Sequence, residues 1–399
     1  MVLSRRRFLA SLAGLAALSL PGAALAAPPG KYALAGRVLS GADLRPLDNH
    51  AVLVENGLIE AVVPAASVAD RPVIGVPGCT VLPGIINAHC HRIHTPEDRR
   101  KRWLEHGVTA VGDPGSPLDA MADLARSPAG TTATAAFSGP MLAVPGGYPL
   151  PVHDPKYGLV VRSPREAGDA VRRLADRGAT MIKLAFEPGV MPRPWPMPDP
   201  ATARDACDTA RRIGLTVRCH VQDLAGLEPA LDAGVHTVEH VPHRRFVEGR
   251  PRPVLDRDNA VMPAYARLLE RMARDAVILT PTLDVLSRSL WNGPALYEPV
   301  RAFAAMGGRL AVGNDYPYLR TEAGMVLREL ELLGRAGLSG RDALRAATVG
   351  SAAACGFTDR GIIARGMRAD LLVTDNDPAA DPGALAAPLH IVKDGVFVA

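Results

Sequence analysis

Once the first 27 residues are set aside, the chain has no long apolar run. No later segment reaches the roughly 20 apolar residues that a membrane-spanning helix needs. Charge of one sign is lacking as well. The 45 basic and 41 acidic residues leave a net charge of +4, which gives no electrostatic case for nucleic acid or an anionic membrane as a partner. Cysteine is scarce: Cys79, Cys90, Cys207, Cys219 and Cys355 are odd in number and widely scattered, with no C-x-x-C. That pattern argues against a disulfide framework. A glycine-rich phosphate loop is also missing. The first strand of the central region runs into "NAHCHR", which makes a doubly wound dinucleotide fold the lesser alternative.

The apolar run that does exist lies at the N-terminus. "SRRRFLA" is followed by the apolar segment Leu9–Leu20, then by Ala24-Leu25-Ala26 and Pro28-Pro29. Basic, then apolar, then A-x-A is the layout of a cleaved secretory signal. The order Ser4-Arg5-Arg6-Arg7-Phe8-Leu9 resembles a twin-arginine signal, whose passengers cross already folded. Residues 1–27 are therefore expected to be a signal peptide, and the mature protein to be exported to a periplasm or secreted.

With 48% apolar residues over 399 positions, the chain can bury a large core. Residues 28–80 alternate short β-like runs with turns, including Asn56-Gly57 between apolar stretches, a hairpin signal. The C-terminal residues 366–399 return to that texture, with a second turn at Asp394-Gly395. The two ends are expected to build one small β-sandwich domain.

Between them, residues 81–365 alternate strand and helix. Candidate strands are 80–91, 108–113, 132–138, 180–185, 216–222, 236–240, 277–280 and 309–315. The clearest helix is "SPREAGDAVRRLADRG", with Ser163 as N-cap, Pro164 in the first turn, Glu166 completing a capping box and Gly178 after the last turn. Others are expected over 96–106, 200–213, 224–233, 262–274 and 321–336. Eight apolar strands alternating with helices predict an α/β fold, a closed (β/α)8 TIM-like barrel. The irregular piece 139–162 follows the third strand and would lie over the C-terminal face, where barrel active sites are built.

"LPGIINAHCHRIH" (82–94) carries three histidines. His89 and His91 differ by two, so on a strand both point to one face, the barrel interior, and Cys90 points outward. His94 falls out of register. Other strand ends repeat the theme: Lys183 in "MIKLAF", His220 in "TVRCHVQ", His236, His240 and His243 in "HTVEHVPH", and Asp315 in "LAVGNDYP". Unpaired, each would be costly to bury. Together they suit divalent metals that prefer nitrogen and oxygen ligands, zinc foremost.

From about Leu82 to Gly366 the sequence resembles the amidohydrolase superfamily. "PGIINAHCH", "IKLA", "CH", "EH" and "GND" carry the resemblance, with "ARGMRADLLVTD" near the close. "GVTAVGDPGS", "FSGPMLAVPGGYP" and "PTLDVL" are similar to the imidazolonepropionase-like and Xaa-Pro dipeptidase-like branch. The resemblance implies two divalent metal ions, with His89, His91 and Asp315 on the more buried one and His220 and His240 on the second. Lys183, carboxylated by carbon dioxide, would bridge them. Ala88 stands where many relatives have Asp, so support for the ligands is expected to be missing there.

The implied chemistry is hydrolysis of an amide, peptide-like or cyclic amide C–N bond by a hydroxide held between the ions, with Asp315 handling the proton. Tyr148 and His243 lie on segments expected over the mouth and are candidate substrate contacts. The rivals are a single-metal deaminase or imidazolonepropionase-type hydrolase, lactone or phosphotriester hydrolysis on the same centre, and a non-catalytic metal-binding protein. Lys183 speaks against the first, because single-metal members generally lack that lysine, and the complete ligand set with Asp315 as general base speaks against the last. A small-molecule substrate is expected, no membrane span remains after signal cleavage, and a homo-oligomer is compatible with all of this.

Overall fold

The computed structural model describes residues 30–94, 98–126 and 130–398; the signal expected at residues 1–27 lies outside them. The alternating residues near the N-terminus form strands Lys31–Ser40, Arg45–Glu55, Leu58–Pro64 and Val73–Pro83. They share one seven-stranded sheet with Leu371–Thr374, His390–Lys393 and Val396–Val398 from the other end of the chain. The two expected hairpin turns are present. Asn56 and Gly57 (φ 51° and 80°) and Asp394 and Gly395 (φ 50° and 78°) take the left-handed backbone that a two-residue hairpin loop requires.

The ends thus meet as expected, but in a single sheet rather than the two facing sheets of a sandwich. The strand alternation gives the physical reason. Leu371 and Val373 join Leu34, Val52 and Val81 in a small apolar cluster on one face. Leu82 and Leu372, on the opposite face, belong to the large core of the α/β region. Both faces are buried without a second sheet.

Among the described residues, eight further parallel strands fall in two runs. Ile85–Asn87, Val108–Asp113 and Thr134–Phe137 form a three-stranded sheet; Met181–Ala185, Thr216–His220, Thr237–Glu239, Ile278–Thr280 and Arg309–Leu310 form a five-stranded one. Backbone bonds join the runs at both ends. Thr180 N donates to Phe137 O (2.9 Å), and Ala88 N donates to Val312 O (2.7 Å).

The long strand expected over 80–91 divides at Gly84, with residues up to Pro83 in the seven-stranded sheet and Ile85–Asn87 in the parallel one. A Cβ at Gly84 would come within 2.3 Å of Thr109 Oγ1, so only glycine lets the chain cross here. His89 and His91 follow the last hydrogen-bonded residues of that short strand.

The helix signalled by Ser163 spans Pro164–Asp176. Ser163 Oγ accepts from Glu166 N (3.2 Å), while Glu166 Oε2 accepts from Arg162 N (2.9 Å), one residue earlier than a capping box requires. Ser163→Ala is expected to lower folding stability by about 1 kcal/mol, read as a smaller urea midpoint at unchanged slope. Helices Pro200–Arg212, Leu227–Ala233, Pro263–Arg274 and Leu327–Arg335 occur where expected, with shifted ends. Pro294–Ala305, with Pro299 inside it, and the short Leu283–Ser287 were not signalled by the sequence. The segment 139–162 carries a short parallel pair, Met141–Ala143 with Gly158–Val160.

Candidate metal centre

The spacing of His89 and His91 brings their Nε2 atoms 3.3 Å apart. Asp315 Oδ1 lies 3.4 Å from His89 Nε2 and 3.3 Å from His91 Nε2. Ligand atoms from these three residues all fall within 4.8 Å of one another. Cys90 turns away and is buried, its Sγ toward Gly112 O (3.5 Å). The glycine of "GND" is needed for this approach, since a Cβ at Gly313 would stand 2.4 Å from His89 Cβ.

Each histidine is held by its other nitrogen. His89 Nδ1 meets Glu239 Oε2 in a short contact, and His91 Nδ1 lies 3.2 Å from Asp113 Oδ1. His240 Nδ1 is 2.7 Å from Thr282 Oγ1. Engaging Nδ1 in this way leaves Nε2 with a free lone pair directed to the centre. Support is therefore not missing, as Ala88 suggested; it comes from other strands. Ala88 contributes its carbonyl, which accepts from Arg218 Nη1 (2.6 Å). Arg218 also grips Glu239 with two bonds of 2.8 Å, and Thr237 Oγ1 donates to Glu239 Oε1 (2.8 Å).

His220 and His240 complete a ring of imidazoles, with centroids 4.5 Å apart; His89 and His240 lie 5.0 Å apart. Burial lowers His220 to about 4 and holds His240 well below its ordinary value, keeping both in the neutral form that binds cations. For His91, burial works downward, but Asp113 and Asp315 outweigh it and raise the ring to about 9. The carboxylates around it call for positive charge.

Lys183 sits on the strand between the two histidine groups. It is 1% exposed, and its Nζ has no hydrogen-bond partner. Burial lowers it to about 8, with Glu239 pulling the other way. Asp315 Oδ1 also lacks a hydrogen-bond donor. Two orphaned polar atoms of opposite character, four imidazoles and one cavity fit a divalent metal centre, as the donor types do.

All six predicted ligands line one cavity of about 290 Å³. Its walls come from the 139–162 segment (Met141, Tyr148, Pro149, His153), from Val285 and Leu286, and from Trp291, Tyr318 and Leu319. Tyr148 is brought to the centre as expected. Its ring stacks on His220 at 4.3 Å, and its Oη lies 3.0 Å from His153 Nε2. His243 and His94 do not line this cavity. His243 stands behind the wall, with Nδ1 on Val241 O (2.9 Å) and its ring 5.6 Å from Trp291.

Arg218, Glu239, Asp113 and Thr282 were not foreseen as site residues. The period-two argument that found His220 also places Arg218 on its face, so a signal existed for that residue. His240, Thr282 and Asp315 all have left-handed backbone (φ 69°, 52° and 55°) at strand ends around the cavity, a strained arrangement that clusters at functional sites.

A sequence model described as the amidohydrolase family matches residues 101–399. The chain belongs to the amidohydrolase family. As an amidohydrolase it is an enzyme, a hydrolase acting on carbon–nitrogen bonds. It is 26% identical over 383 residues to a protein of Halobacterium salinarum named 5-methylthioadenosine/S-adenosylhomocysteine deaminase, covering 86% of this amidohydrolase and 84% of that relative. Among solved structures it resembles a putative prolidase from Bifidobacterium longum, with a TM-score of 0.73, 26% identity, and coverage of 92% of this chain and 94% of the other. It also shares the fold of a Xaa-Pro dipeptidase with methionine bound in its active site, with a TM-score of 0.73, 19% identity, and coverage of 92% and 99%.

Proposed function

We propose that this amidohydrolase cleaves an amide or peptide-like bond, such as that of a dipeptide or N-acyl amino acid, at a centre of two zinc ions bridged by carboxylated Lys183. One observation carries the reading: a fully buried lysine amine with no partner stands among four histidines and an aspartate. A charged ammonium there would oppose two cations. Addition of carbon dioxide to the neutral amine forms an N–C bond and releases a proton, which turns Lys183 into an anionic donor. Its lowered pKa enlarges the share of neutral amine available for that addition. His89, His91 and Asp315 would hold one ion, and His220 and His240 would hold the other.

Such ions acidify water and polarise a scissile carbonyl. The chain's own residues do the rest. Asp315 takes the proton of the attacking water and delivers it to the leaving amine. Tyr148, Leu286, Trp291 and Tyr318 shape the cavity around the substrate and limit water. The eight parallel strands form the closed (β/α)8 barrel of residues 81–365 that presents these groups, with 28–80 and 366–399 as the accompanying β domain. Residues 1–27 act as a twin-arginine export signal, which places the mature enzyme outside the cytoplasm.

The names of the curated relatives favour a second reading, deamination, which on the sequence resemblance would use a single metal. Elemental analysis of the purified enzyme separates the two. Two divalent ions per chain are expected, falling to one or fewer in Lys183→Ala, with hydrolysis of dipeptides or N-acyl amino acids. One ion per chain, unchanged by Lys183→Ala and accompanied by ammonia release from 5-methylthioadenosine, would replace the proposal by the deaminase.

A further inference from the structure

We infer that Glu329 is a positioning residue for the metal centre: it caps the turn after strand Ile278–Thr280 from outside, and so frees Thr282 to orient His240. This rests on the reading of His240 as a ligand of the second ion.

Helix Leu327–Arg335 turns Leu330, Leu332 and Leu333 into the core, and Glu329 shares that buried side with no exposure. Burial raises its carboxyl to about 8, with the Asp284 and Leu283 amides pulling the other way, and its oxygens are costly to bury unless bonded. Both are bonded. Oε1 accepts from Leu283 N (2.9 Å) and Oε2 from Asp284 N (2.6 Å), the first two amides of helix Leu283–Ser287, which have no partner within that helix.

Thr282 holds the N-cap position of this helix. A threonine there ordinarily spends its hydroxyl on the amides of the first turn. Here it makes no capping bond, because Glu329 takes two of those amides from another helix. Asp284 does not cap either; its carboxylate is held by Arg288 (2.7 Å) and Arg328 (3.1 Å). The Thr282 hydroxyl is thereby available to His240 Nδ1 at 2.7 Å. The backbone reinforces the link: His240 N donates to Thr280 O (2.8 Å) and Val241 N to Pro281 O (3.1 Å). One turn further on, Val285 and Leu286 line the cavity, so the same clamp sets its wall.

Shape alone does not suffice at position 329. Glutamine would turn an NH2 group toward one of the two backbone amides, so one bond is lost and a donor faces a donor. Thr282→Val removes only the hydroxyl and keeps the volume. The test measures metal affinity by chelator competition in the full-length enzyme, beside the melting temperature of the metal-free protein and the kcat and KM of the loaded one.

Glu329→Gln and Thr282→Val are each expected to weaken the second ion 10–100-fold while the first ion binds as before. The double variant should be no worse for that ion than Thr282→Val, because both act through one link. A Glu329→Gln protein that melts lower but binds both ions with wild-type affinity would reduce Glu329 to a helix cap. If Glu329→Gln does not fold, Thr282→Val decides, and full second-ion affinity in it overturns the proposal. His240→Ala tests the reading beneath: retention of both ions there would remove His240 as a ligand and the proposal with it.

Discussion

Asp315→Asn is expected to abolish turnover while leaving the protein folded and, on the proposed reading, its metal largely bound. The substitution preserves shape and suits the backbone, since position 315 has φ 55° and asparagine, like aspartate, tolerates the left-handed region. The Asp315 amide keeps its bond to His89 O (2.9 Å). What changes is proton affinity. The carboxylate is held well below the usual range: burial works upward, and the neighbouring histidines, His89 foremost, outweigh it. Ionised, the carboxylate is able to accept a proton from the attacking water. An amide cannot take that proton. Positioned acid–base groups contribute about 10²–10⁴-fold, and a loss in kcat of at least that size is expected, with the metal content measured in parallel. An Asp315→Asn enzyme retaining a tenth of wild-type turnover would move the base elsewhere.

Arg218→Met is expected to cost about 3–5 kcal/mol of folding stability, the range for breaking a buried ion pair. Arg218 and Glu239 are both fully buried, joined by two bonds of 2.8 Å. Methionine fills much of the arginine's volume but leaves Glu239 as an uncompensated charge beneath the metal ligands. Arg218→Lys should rescue only part of the loss, because a lysine cannot form the two-pronged contact or reach Ala88 O at once.

The pH dependence carries a further signature. In the native enzyme burial works against ionisation of Glu239, yet Arg218 and His89 hold it well below its ordinary value. A depressed carboxyl contributes stability above its unfolded pKa, about 4.3, and loses it as the pH falls through the folded value. Without Arg218, burial dominates and raises the carboxyl, so the variant folds better when Glu239 is protonated. The stability gap between the two proteins, followed by urea denaturation, should narrow from pH 7 to pH 4.5. A gap below about 1 kcal/mol at pH 7 would mean that Arg218 does not compensate the charge.

The parts of the site that share a strand with their own evidence were legible in the sequence. His89 and His91 declare themselves by period two, and Lys183, His220, His240 and Asp315 by being polar at the ends of apolar runs. The supports were harder to see. Glu239 and Arg218 lie 21 positions apart and meet across adjacent strands whose register, Arg218 opposite Thr237, no local pattern reveals. Thr282 matters only because Glu329, on a distant helix, takes over its capping role. In the fold, the run from Val81 to Ile86 is apolar throughout, and continuity conceals the point at which a chain leaves one sheet for another. Only Gly84 marks it. The expected sandwich failed for a related reason: a strand apolar on both faces needs two neighbours, but does not say whether the second is a sheet or a layer of helices.

The joining of the chain ends in one sheet also sets a schedule for assembly. Thr80–Pro83 pair with Leu371–Thr374, and Thr80–Pro83 lead through Gly84 directly to His89 and His91. The candidate ligands His89 and His91 are thus anchored through a strand that is synthesised long after them. A nascent chain that has not yet reached Leu371–Thr374 lacks the partner that fixes the strand leading to these histidines. On the proposed reading, metal capture waits for residues 371–374, and an enzyme truncated before residue 371 is expected to lose its grip on metal as well as a strand.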